Sequence, residues 1–532
     1  MLEALLVKQS DTETVDPKAS IATLSRRAAE LAGDRRYNDA VPIWVELAAL
    51  LPEHEGVAMG LGSALVGAGR FGAALQQLAS ACVRFPENPV LLRLEAHALR
   101  RLGNSAAAVG ALLMALEVTP ECIECHADLA AALHLQRRLG AALPHAAYAH
   151  GMAPSTSHAT VLVDILLELG RRDEALPVID ANIEANIELP SMLLLRSFCL
   201  SLMSRHPESL TSARLALQAA PDDENIQAGV AMSLLAHGEL TPQAWKLYES
   251  RTRVLGMNEW PHQERRWRGQ NPQGATILVH AEQGFGDTIN FIRYVPMLAA
   301  LGARVVLVVQ PGLLRLLSDT PGAERVIAGG RDLPDFDWYV PLLSLPGLLG
   351  TTLDTIPPPL PLHVPATILP APHRTRDLRV GLVWGGSQSF IDNGKRSLDP
   401  AALAPLAAIE GVTFYNLQFA TTDFPMPGMV DPMRGVADFA ETASIIAGLD
   451  MVISVDTSVA HLAATLGKPV WMLSRIHGCW RWFLDREDTP WYPTMRIYRQ
   501  QRLAVWDDVI ARIAADLGDV VAQRSRPEQI LV

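Results

Sequence analysis

Residues 275–310 read ATILVHAEQGFGDTINFIRYVPMLAALGARVVLVVQ, two apolar runs separated by a glycine-containing turn and a longer amphipathic segment. The runs ATILVHA and ARVVLVVQ are continuous and β-branched, which is typical of strands buried on both faces of a sheet. The segment between them is long enough for a helix. A strand, a crossover helix and a second strand together predict a parallel sheet.

The same alternation of strand-like and helix-like segments continues along the chain with one interruption. The proline-rich stretch IPPPLPLHVPATILPAP at 356–372 ends the first series. A second series starts at LRVGLVWGG (378–386) and ends with the amphipathic segment WDDVIARIAADLGDVVAQ (506–523). We therefore expect two Rossmann-like halves, residues 274–365 and 376–520, with a ligand cleft at the carboxyl ends of their strands.

The first half of the chain repeats with a fixed period instead. Alanines and prolines recur 34 residues apart, and each alanine follows a short turn: Ala40, Ala74, Ala108 and Ala142, then Pro52, Pro86, Pro120 and Pro154. This period is that of the tetratricopeptide repeat, in which a small residue lets two helices approach and a proline ends the second helix. We expect an α-solenoid of about six or seven repeats over residues 20–256, followed by a linker at 257–273.

Composition and charge exclude some classes of function. The 532 residues are 49% hydrophobic, which is enough for a large core, and the net charge of −12 does not favour nucleic-acid binding. The sequence has neither a secretory signal nor an apolar run long enough for a membrane span, so a cytoplasmic location is expected. The five cysteines are then expected to be free thiols. The haem-attachment spacing of CIECH at 122–126 is interpreted as ordinary repeat sequence.

The turn GFGD is the first candidate site. Gly284 and Gly286 let a ligand approach the backbone, and the N-terminus of the helix that follows attracts negative charge. Asp287 is either a functional carboxylate or an ordinary residue that caps the helix. The spacing alone does not decide between these two roles.

The segment DTSVAH at 456–461 is the second candidate site and follows the strand-like run DMVISV. Thr457 and Ser458 could donate hydrogen bonds to phosphate oxygens beside the free N–H groups of the helix N-terminus. Asp456 and His461 are expected at the mouth of the same ligand cleft. The alternative is a capped helix with a buried histidine.

The turn WGGS at 384–387 is the third candidate, because Ser387 is followed by two cations, Lys395 and Arg396. A glycine-rich turn and positive charge suit a diphosphate, and cations can stabilise a leaving diphosphate without a metal. The alternative is a solvated basic loop. The motif Asp335–Phe336–Asp337 lies in a loop where metal binding is not expected, so the sequence predicts neither a metal nor a cofactor.

The segment WRWFLDREDTPWYPTMRIYRQ at 480–500 is rich in aromatic and charged residues. It is expected either to close over the nucleotide or to pack the interface between the two halves. We favour partial contact with the donor.

Two of these segments resemble a known family. GFGDTINFIRYVPMLAALG resembles the first loop and helix of the bacterial heptosyltransferase-like enzymes of glycosyltransferase family nine. DMVISVDTSVAHLAATLGKPVWML resembles the donor-binding segment of that family. With GLVWGGSQSFIDNGKRSL they span about residues 275–500. The whole chain looks like bacterial proteins that fuse tetratricopeptide repeats to such a domain, and its architecture is similar to that of the eukaryotic O-linked N-acetylglucosamine transferase.

The resemblance implies a GT-B fold and an inverting displacement on a nucleotide-sugar. Asp287 matches the loop acid that serves as general base and deprotonates the acceptor hydroxyl. Lys395 or Arg396 would face the donor diphosphate. The residues implied to line the nucleotide-sugar pocket are Asp456, Thr457, Ser458 and His461.

The chain also departs from that family, since lipopolysaccharide heptosyltransferases lack a repeat array and have a longer first half. We therefore expect an acceptor other than a lipid-linked core sugar. The favoured hypothesis is an enzyme whose repeats recognise a protein acceptor, for example a surface protein such as flagellin. The alternatives are a transferase for surface polysaccharide or lipid-linked glycan, and a non-catalytic adaptor. Self-association of the repeats as a homodimer is a further possibility for the array.

Overall fold

The computed structural model describes residues 17–256, 263–330, 333–366, 369–386, 393–419, 421, 424–502 and 505–524, without the side chains of residues 17–20, 394 and 395. The chain forms two compact units, which divide between Val178 and Ile179. Within the described ranges, no helix combines the length and the apolarity needed to cross a bilayer.

The first unit is a run of antiparallel helices with short turns. Its helices are α1 (Pro17–Gly33), α2 (Tyr37–Leu50), α3 (Glu55–Gly67), α4 (Phe71–Arg84), α5 (Pro89–Arg101), α6 (Ser105–Val118), α7 (Ile123–Leu135), α8 (Leu139–Met152), α9 (Thr156–Glu168) and the first part of α10 (Arg172–Glu184). The dividing point of the two units lies inside α10.

The 34-residue period of the sequence corresponds to a repeated backbone geometry. The turn between the two helices of a pair contains a residue with positive φ, which recurs as Arg35 (58°), Gly69 (72°), Gly103 (83°) and Arg137 (60°). The recurring alanines contact the partner helix and are fully buried, at 0% exposure: Ala40, Ala74, Ala108 and Ala142. A left-handed turn and a side chain no larger than a methyl group are therefore needed once in each repeat.

The second unit begins with further helices and contains two parallel sheets. The helices are α11 (Leu189–Leu202), α12 (His206–Ala219), α13 (Glu224–Ala236), α14 (Pro242–Tyr248) and α15 (Arg251–Val254). The first sheet has the order β3-β2-β1-β4, with β1 (Thr276–His280), β2 (Arg304–Val309), β3 (Ala323–Ala328) and β4 (Trp338–Pro341). The helices α16 (Phe285–Phe291), α17 (Val295–Ala300), α18 (Leu314–Leu317) and α19 (Leu345–Leu348) connect or follow these strands.

The second sheet has the order β6-β5-β7-β8-β9. Its strands are β5 (Leu378–Val383), β6 (Val412–Asn416), β7 (Met451–Val455), β8 (Val470–Ser474) and β9 (Met495–Arg499). Its helices are α20 (Asn393–Arg396), α21 (Phe439–Ala447), α22 (Ser458–Thr465) and α23 (Asp507–Arg524). Short 3-10 helices lie at Gln263–Arg265, Ile292–Tyr294, Pro311–Leu313, Leu342–Ser344, Leu353–Thr355, Pro400–Ala408 and Trp480–Trp482.

These elements confirm the predicted fold class, an α-solenoid followed by an α/β GT-B fold with two Rossmann-like halves. Two local details differ from the sequence interpretation. The segment Pro400–Ala408 is a 3-10 helix that contains Pro405, and a proline inside a helix removes a backbone donor. Strand β9 was not predicted, although three of its five residues are buried.

The last helices of the predicted array pack on the first sheet. The Trp245 indole N–H donates to the Thr351 carbonyl at 2.7 Å. The buried Arg251 guanidinium donates to Glu282 at 2.6 Å, and to the Ser344 hydroxyl at 3.0 Å. Because breaking a buried ion pair leaves an uncompensated charge, these contacts hold α14 and α15 firmly against the α/β part.

Part of the predicted linker is also attached to this sheet. The backbone N–H of Trp267 donates to the Tyr339 carbonyl of β4 at 2.8 Å, and the Trp267 side chain is buried. Arg266 forms an ion pair with Glu249. Residues 257–262 lie outside the described ranges, and the predicted domain boundaries remain predictions.

The expectation of five free thiols is wrong for one pair. Cys122 and Cys125 are joined in a disulfide with their Cα atoms 5.2 Å apart, whereas Cys82, Cys199 and Cys479 form no disulfide. Cys122 caps the N-terminus of α7, so the first helical turn brings the two sulfur atoms of a C-x-x-C sequence together. Their proximity depends on the position of the helix start, which the spacing alone did not determine.

Candidate functional site

Two helices, one from each α/β half, meet at the carboxyl ends of the sheets. Helix α16 follows β1 of the first sheet, and α22 follows β7 of the second. They approach so closely that a Cβ built on Gly286 of α16 would lie 2.6 Å from Cδ2 of His461 on α22. Gly286 is therefore required here for packing, because any side chain would overlap the His461 ring.

This contact predicts a measurable loss of stability. We expect Gly286→Ala to lower the free energy of unfolding by about 1–3 kcal/mol, the usual cost of overpacking. The His461 ring cannot readily move away, because it is buried against Trp482 and Tyr492. Thermal or urea denaturation would measure the change.

A matched control for this substitution is Gly110→Ala in helix α6. A Cβ at Gly110 meets no atom within 4 Å, so the higher helix propensity of alanine should raise stability by about 1 kcal/mol. Equal effects of the two substitutions would contradict the proposed overlap at Gly286.

Asp287 is the third residue of α16 and uses both carboxylate oxygens. The N–H of Gly284, the N-cap residue, donates to Asp287 Oδ2 at 3.0 Å. Arg481 donates through Nη2 to Asp287 Oδ1 at 2.5 Å. One oxygen of Asp287 thus caps the helix, as the sequence analysis considered. The other oxygen forms an ion pair with Arg481, which is distant in the sequence.

Asp456 and His461 lie in the second half at the connection from β7 to α22, which corresponds to the connection from β1 to α16 in the first half. The Trp482 indole N–H donates to Asp456 Oδ2 at 2.8 Å. His461 Nε2 lies 4.0 Å from Asp456 Oδ1, and His461 Nδ1 lies 3.0 Å from the Tyr492 hydroxyl. Burial raises the pKa of Asp456, although the Trp482 hydrogen bond and the charges of Arg481 and Arg396 act in the opposite direction.

His461 is uncharged at neutral pH in this environment. Burial, followed by the charges of Arg481 and Arg293, holds its pKa well below the ordinary value. The imidazole can therefore donate or accept a hydrogen bond here, but it does not supply positive charge to a diphosphate.

The other predicted donor-binding residues lie around the start of α22. Thr457 is the N-cap residue of α22 and its hydroxyl lies 3.0 Å from that of Ser454, while Ser458 is the first residue of the helix. Arg396 donates to the Asp456 carbonyl at 3.2 Å. A Cβ on Gly386 would lie 2.4 Å from the Arg396 guanidinium, so this glycine leaves room for the arginine.

Two predicted site residues cannot be placed. Ser387 lies outside the described residues, as does the side chain of Lys395. Asp337 of the aspartate pair in the first half accepts the Thr276 N–H at 2.7 Å, which gives this carboxylate a structural partner. In the described ranges no group of three or more histidine, cysteine or acidic side chains is arranged to hold a metal ion.

The sequence analysis did not identify Arg481, Trp482 and Tyr492 individually. They belong to the aromatic segment 480–500, which packs between the halves: Arg481 contacts Asp287, and Trp482 contacts Asp456. The density of aromatic and basic residues in this segment was the available signal. It indicated an interface but did not indicate which residue contacts which carboxylate.

Comparison with known proteins identifies both parts of the chain. Residues 433–474, which contain α21, β7, α22 and β8, match the model of glycosyltransferase family 9 (heptosyltransferase). Residues 26–89 match that of the tetratricopeptide repeat. The two matches place similarity to tetratricopeptide repeats in the first part of the chain and similarity to glycosyltransferase family 9 in the second. The family 9 match includes Asp456 and His461, and the predicted resemblance is confirmed.

One curated relative and several solved structures are similar to parts of the chain. The protein FlbA of Caulobacter vibrioides is 24% identical over 449 residues, which cover 76% of this chain and 74% of that protein. A tetratricopeptide repeat protein of Parabacteroides merdae is 15% identical over 45% of this chain and 95% of its own, with a TM-score of 0.38. A tetratricopeptide repeat protein of Thermus thermophilus is 17% identical over 40% of this chain and 99% of its own, with a TM-score of 0.30.

Proposed function

We propose that the chain is an inverting glycosyltransferase that uses a nucleotide-sugar donor and glycosylates a protein acceptor recognised by the repeats. One observation carries the proposal. The Asp287 carboxylate of the first half and the Asp456–His461 segment of the second half lie on either side of one short segment, since Arg481 contacts Asp287 and Trp482 contacts Asp456. A candidate base and a candidate donor-binding segment thus lie beside the same two residues, Arg481 and Trp482.

In the proposed reaction, Asp287 accepts the proton of an acceptor hydroxyl. The acceptor oxygen then forms a bond to the anomeric carbon of the donor sugar. The bond from that carbon to the nucleotide diphosphate breaks on the opposite face, so the configuration inverts and the electron pair leaves with the diphosphate. Arg396, and Lys395 beside it in sequence, would stabilise the departing negative charge without a metal ion.

The N-terminus of α22 supports the donor-binding role of its residues. The first backbone N–H groups of a helix lack intrahelical acceptors, and their partial positive charge favours phosphate oxygens. Thr457 and Ser458 add two hydroxyl groups at this helix end. Asp456 would orient the donor sugar or nucleotide by accepting hydrogen bonds, and the neutral His461 would contribute packing and one hydrogen bond.

The repeats supply the argument for a protein acceptor. Tetratricopeptide arrays form extended concave surfaces, and such surfaces are used to hold polypeptides. The last helices of the predicted array, α14 and α15, pack on the first sheet through Trp245 and Arg251. A polypeptide bound by the repeats would thus be tethered to the half that carries Asp287. We propose that the enzyme acts in the cytoplasm.

Donor binding can be tested on the purified full chain by its melting temperature against a panel of UDP-, GDP-, ADP- and CMP-sugars. A donor at 100 times its Kd should stabilise the native protein by about 2.7 kcal/mol. We expect one nucleotide class to raise the melting temperature. That rise should be lost in Asp456→Ala and His461→Ala but kept in Asp335→Ala, which changes an exposed carboxylate that precedes β4 of the first sheet. If no nucleotide-sugar raises it, the donor site is wrong and the chain is a non-catalytic adaptor.

The acceptor class can then be tested with the donor so identified, carrying a labelled sugar. We expect label to enter the protein fraction of a cell extract in the presence of the wild type, and not in the presence of Asp287→Asn. Label found in the lipid or polysaccharide fraction instead would overturn the protein-acceptor proposal.

A further inference from the structure

Arg481 is a buried cation in the middle of the candidate site. It lies in the connection from β8 to β9, with only 4% of its surface exposed. Its Nη1 donates to Cys479 Sγ at 2.8 Å, and its guanidinium is 4.8 Å from the ring centroids of both Phe291 and Trp480. Among the described residues, its buried Nε has no hydrogen-bond acceptor. The guanidinium is therefore held in place with one donor still available.

The remaining partner of Arg481 is the proposed base. Arg481 Nη2 donates to Asp287 Oδ1, and the Gly284 N–H donates to Oδ2. Each oxygen could accept one further hydrogen bond, but the Arg481 guanidinium lies against Oδ1 and balances the negative charge of the carboxylate. The bond to Gly284 belongs to the backbone of α16, so the ion pair with Arg481 is the bond that can be exchanged.

The donor segment lies next to this ion pair. Trp482, the residue after Arg481, donates to Asp456 Oδ2 at 2.8 Å. The positive charge of Arg481 also acts on Asp456, whose pKa is raised by burial, and on His461, whose pKa is lowered by burial and then by this charge. A planar guanidinium with two donor edges matches the paired oxygens of a diphosphate, which carries more negative charge than a carboxylate.

We infer that Arg481 exchanges partners during the reaction: it binds Asp287 in the free protein and the donor diphosphate in the complex. The inference rests on the proposed function and extends it, because it assigns a diphosphate-binding role to a residue outside the family-matched segment 433–474. Donor binding then releases the base. The acceptor hydroxyl can then replace Arg481 at Asp287 Oδ1 once a donor is in place.

The exchange makes a prediction about affinity that needs no activity assay. The probes are ADP, GDP, UDP and CDP, and the Kd of the one that binds best is measured by calorimetry. Asp287→Asn removes the competitor for Arg481 and should tighten nucleoside diphosphate binding by about tenfold, the effect of one charge-assisted hydrogen bond. Arg481→Lys should weaken it by a similar factor, since lysine keeps the charge but loses the planar fork.

Two controls separate partner exchange from simple removal of negative charge. Asp438→Asn removes another carboxylate that pairs with an arginine across the two halves, at 2.7 Å from Arg315, and should leave the Kd unchanged. In a double-mutant cycle, Asp287→Asn should have little further effect in the Arg481→Lys background, because the two side chains act on one interaction.

The outcomes are distinguishable. Binding by the wild type that Asp287→Asn leaves unchanged or weakens would overturn the exchange but not the proposed function. An equal gain in the Arg481→Lys background would also overturn it and point to a general charge effect. Absence of binding in the wild type and in every variant would overturn the proposed function itself.

Discussion

Asp287→Asn is expected to lower the rate of sugar transfer by about 10²- to 10⁴-fold, the contribution that a positioned general base makes to catalysis. Asparagine has nearly the shape of aspartate, so the hydrogen bond from the Gly284 N–H can be kept while the ability to accept a proton is lost. Release of nucleoside diphosphate from the identified donor, with and without acceptor, measures the rate. The loss should appear in kcat, because the donor site itself is preserved.

The control for this prediction is Asp438→Asn. Asp438 is also a carboxylate paired with an arginine between the two halves, and asparagine can still cap α21 through its side-chain oxygen. We expect no comparable fall in rate for this variant. A rate for Asp287→Asn close to that of the wild type would show that another group takes the proton.

Trp480→Ala is expected to destabilise the second unit by about 3–5 kcal/mol, the usual cost of removing a buried large aromatic side chain. Only 2% of Trp480 is exposed. Its ring centroid lies 5.7 Å from each of three other rings, those of Trp245, Tyr248 and Trp491. These rings come from the helical array and the second half, so one side chain supports the packing between them. Since domains are stable by only about 5–15 kcal/mol, the melting temperature should fall markedly.

Trp480→Phe tests how much of this loss of stability requires complete removal of the aromatic ring. Phenylalanine keeps an aromatic edge for the surrounding rings and leaves a smaller cavity, so we expect a clearly smaller loss of stability than with alanine. Urea denaturation followed by circular dichroism would compare the two variants. Equal stability of Trp480→Ala and the wild type would mean that the aromatic cluster does not hold the second unit together.

Much of the fold could be predicted because its signals are local. Ala40 and its equivalents recur because each repeat contains the same helix contact. The three central residues of β1 are apolar and buried because both faces of a parallel sheet are covered. Strand β9 was not predicted because Arg496 and Arg499 interrupt its apolar residues. The segment Pro400–Ala408 was predicted to be helical, but its 3-10 geometry was not predicted.

The candidate site could be predicted only in part. Asp287 and the Asp456–His461 segment each follow a strand that the hydrophobic pattern predicted. Their positions at the carboxyl ends of the sheets could therefore be predicted from the order of strands and helices. The role of Gly286 did not, because the sequence suggested room for a ligand whereas the structure places the His461 ring there. Whether Asp287 caps a helix or faces a cation was also left open by spacing.

The sequence by itself thus determined a repeat array, two parallel sheets and the turns that carry the candidate residues. These features follow from the periodic pattern of apolar residues, which is visible within each segment of the sequence. Only the tertiary structure decided that Arg481 pairs with Asp287 from 194 positions away and that Trp482 contacts Asp456. Such contacts depend on how the two sheets and their connections pack, and no local period or spacing carries that information.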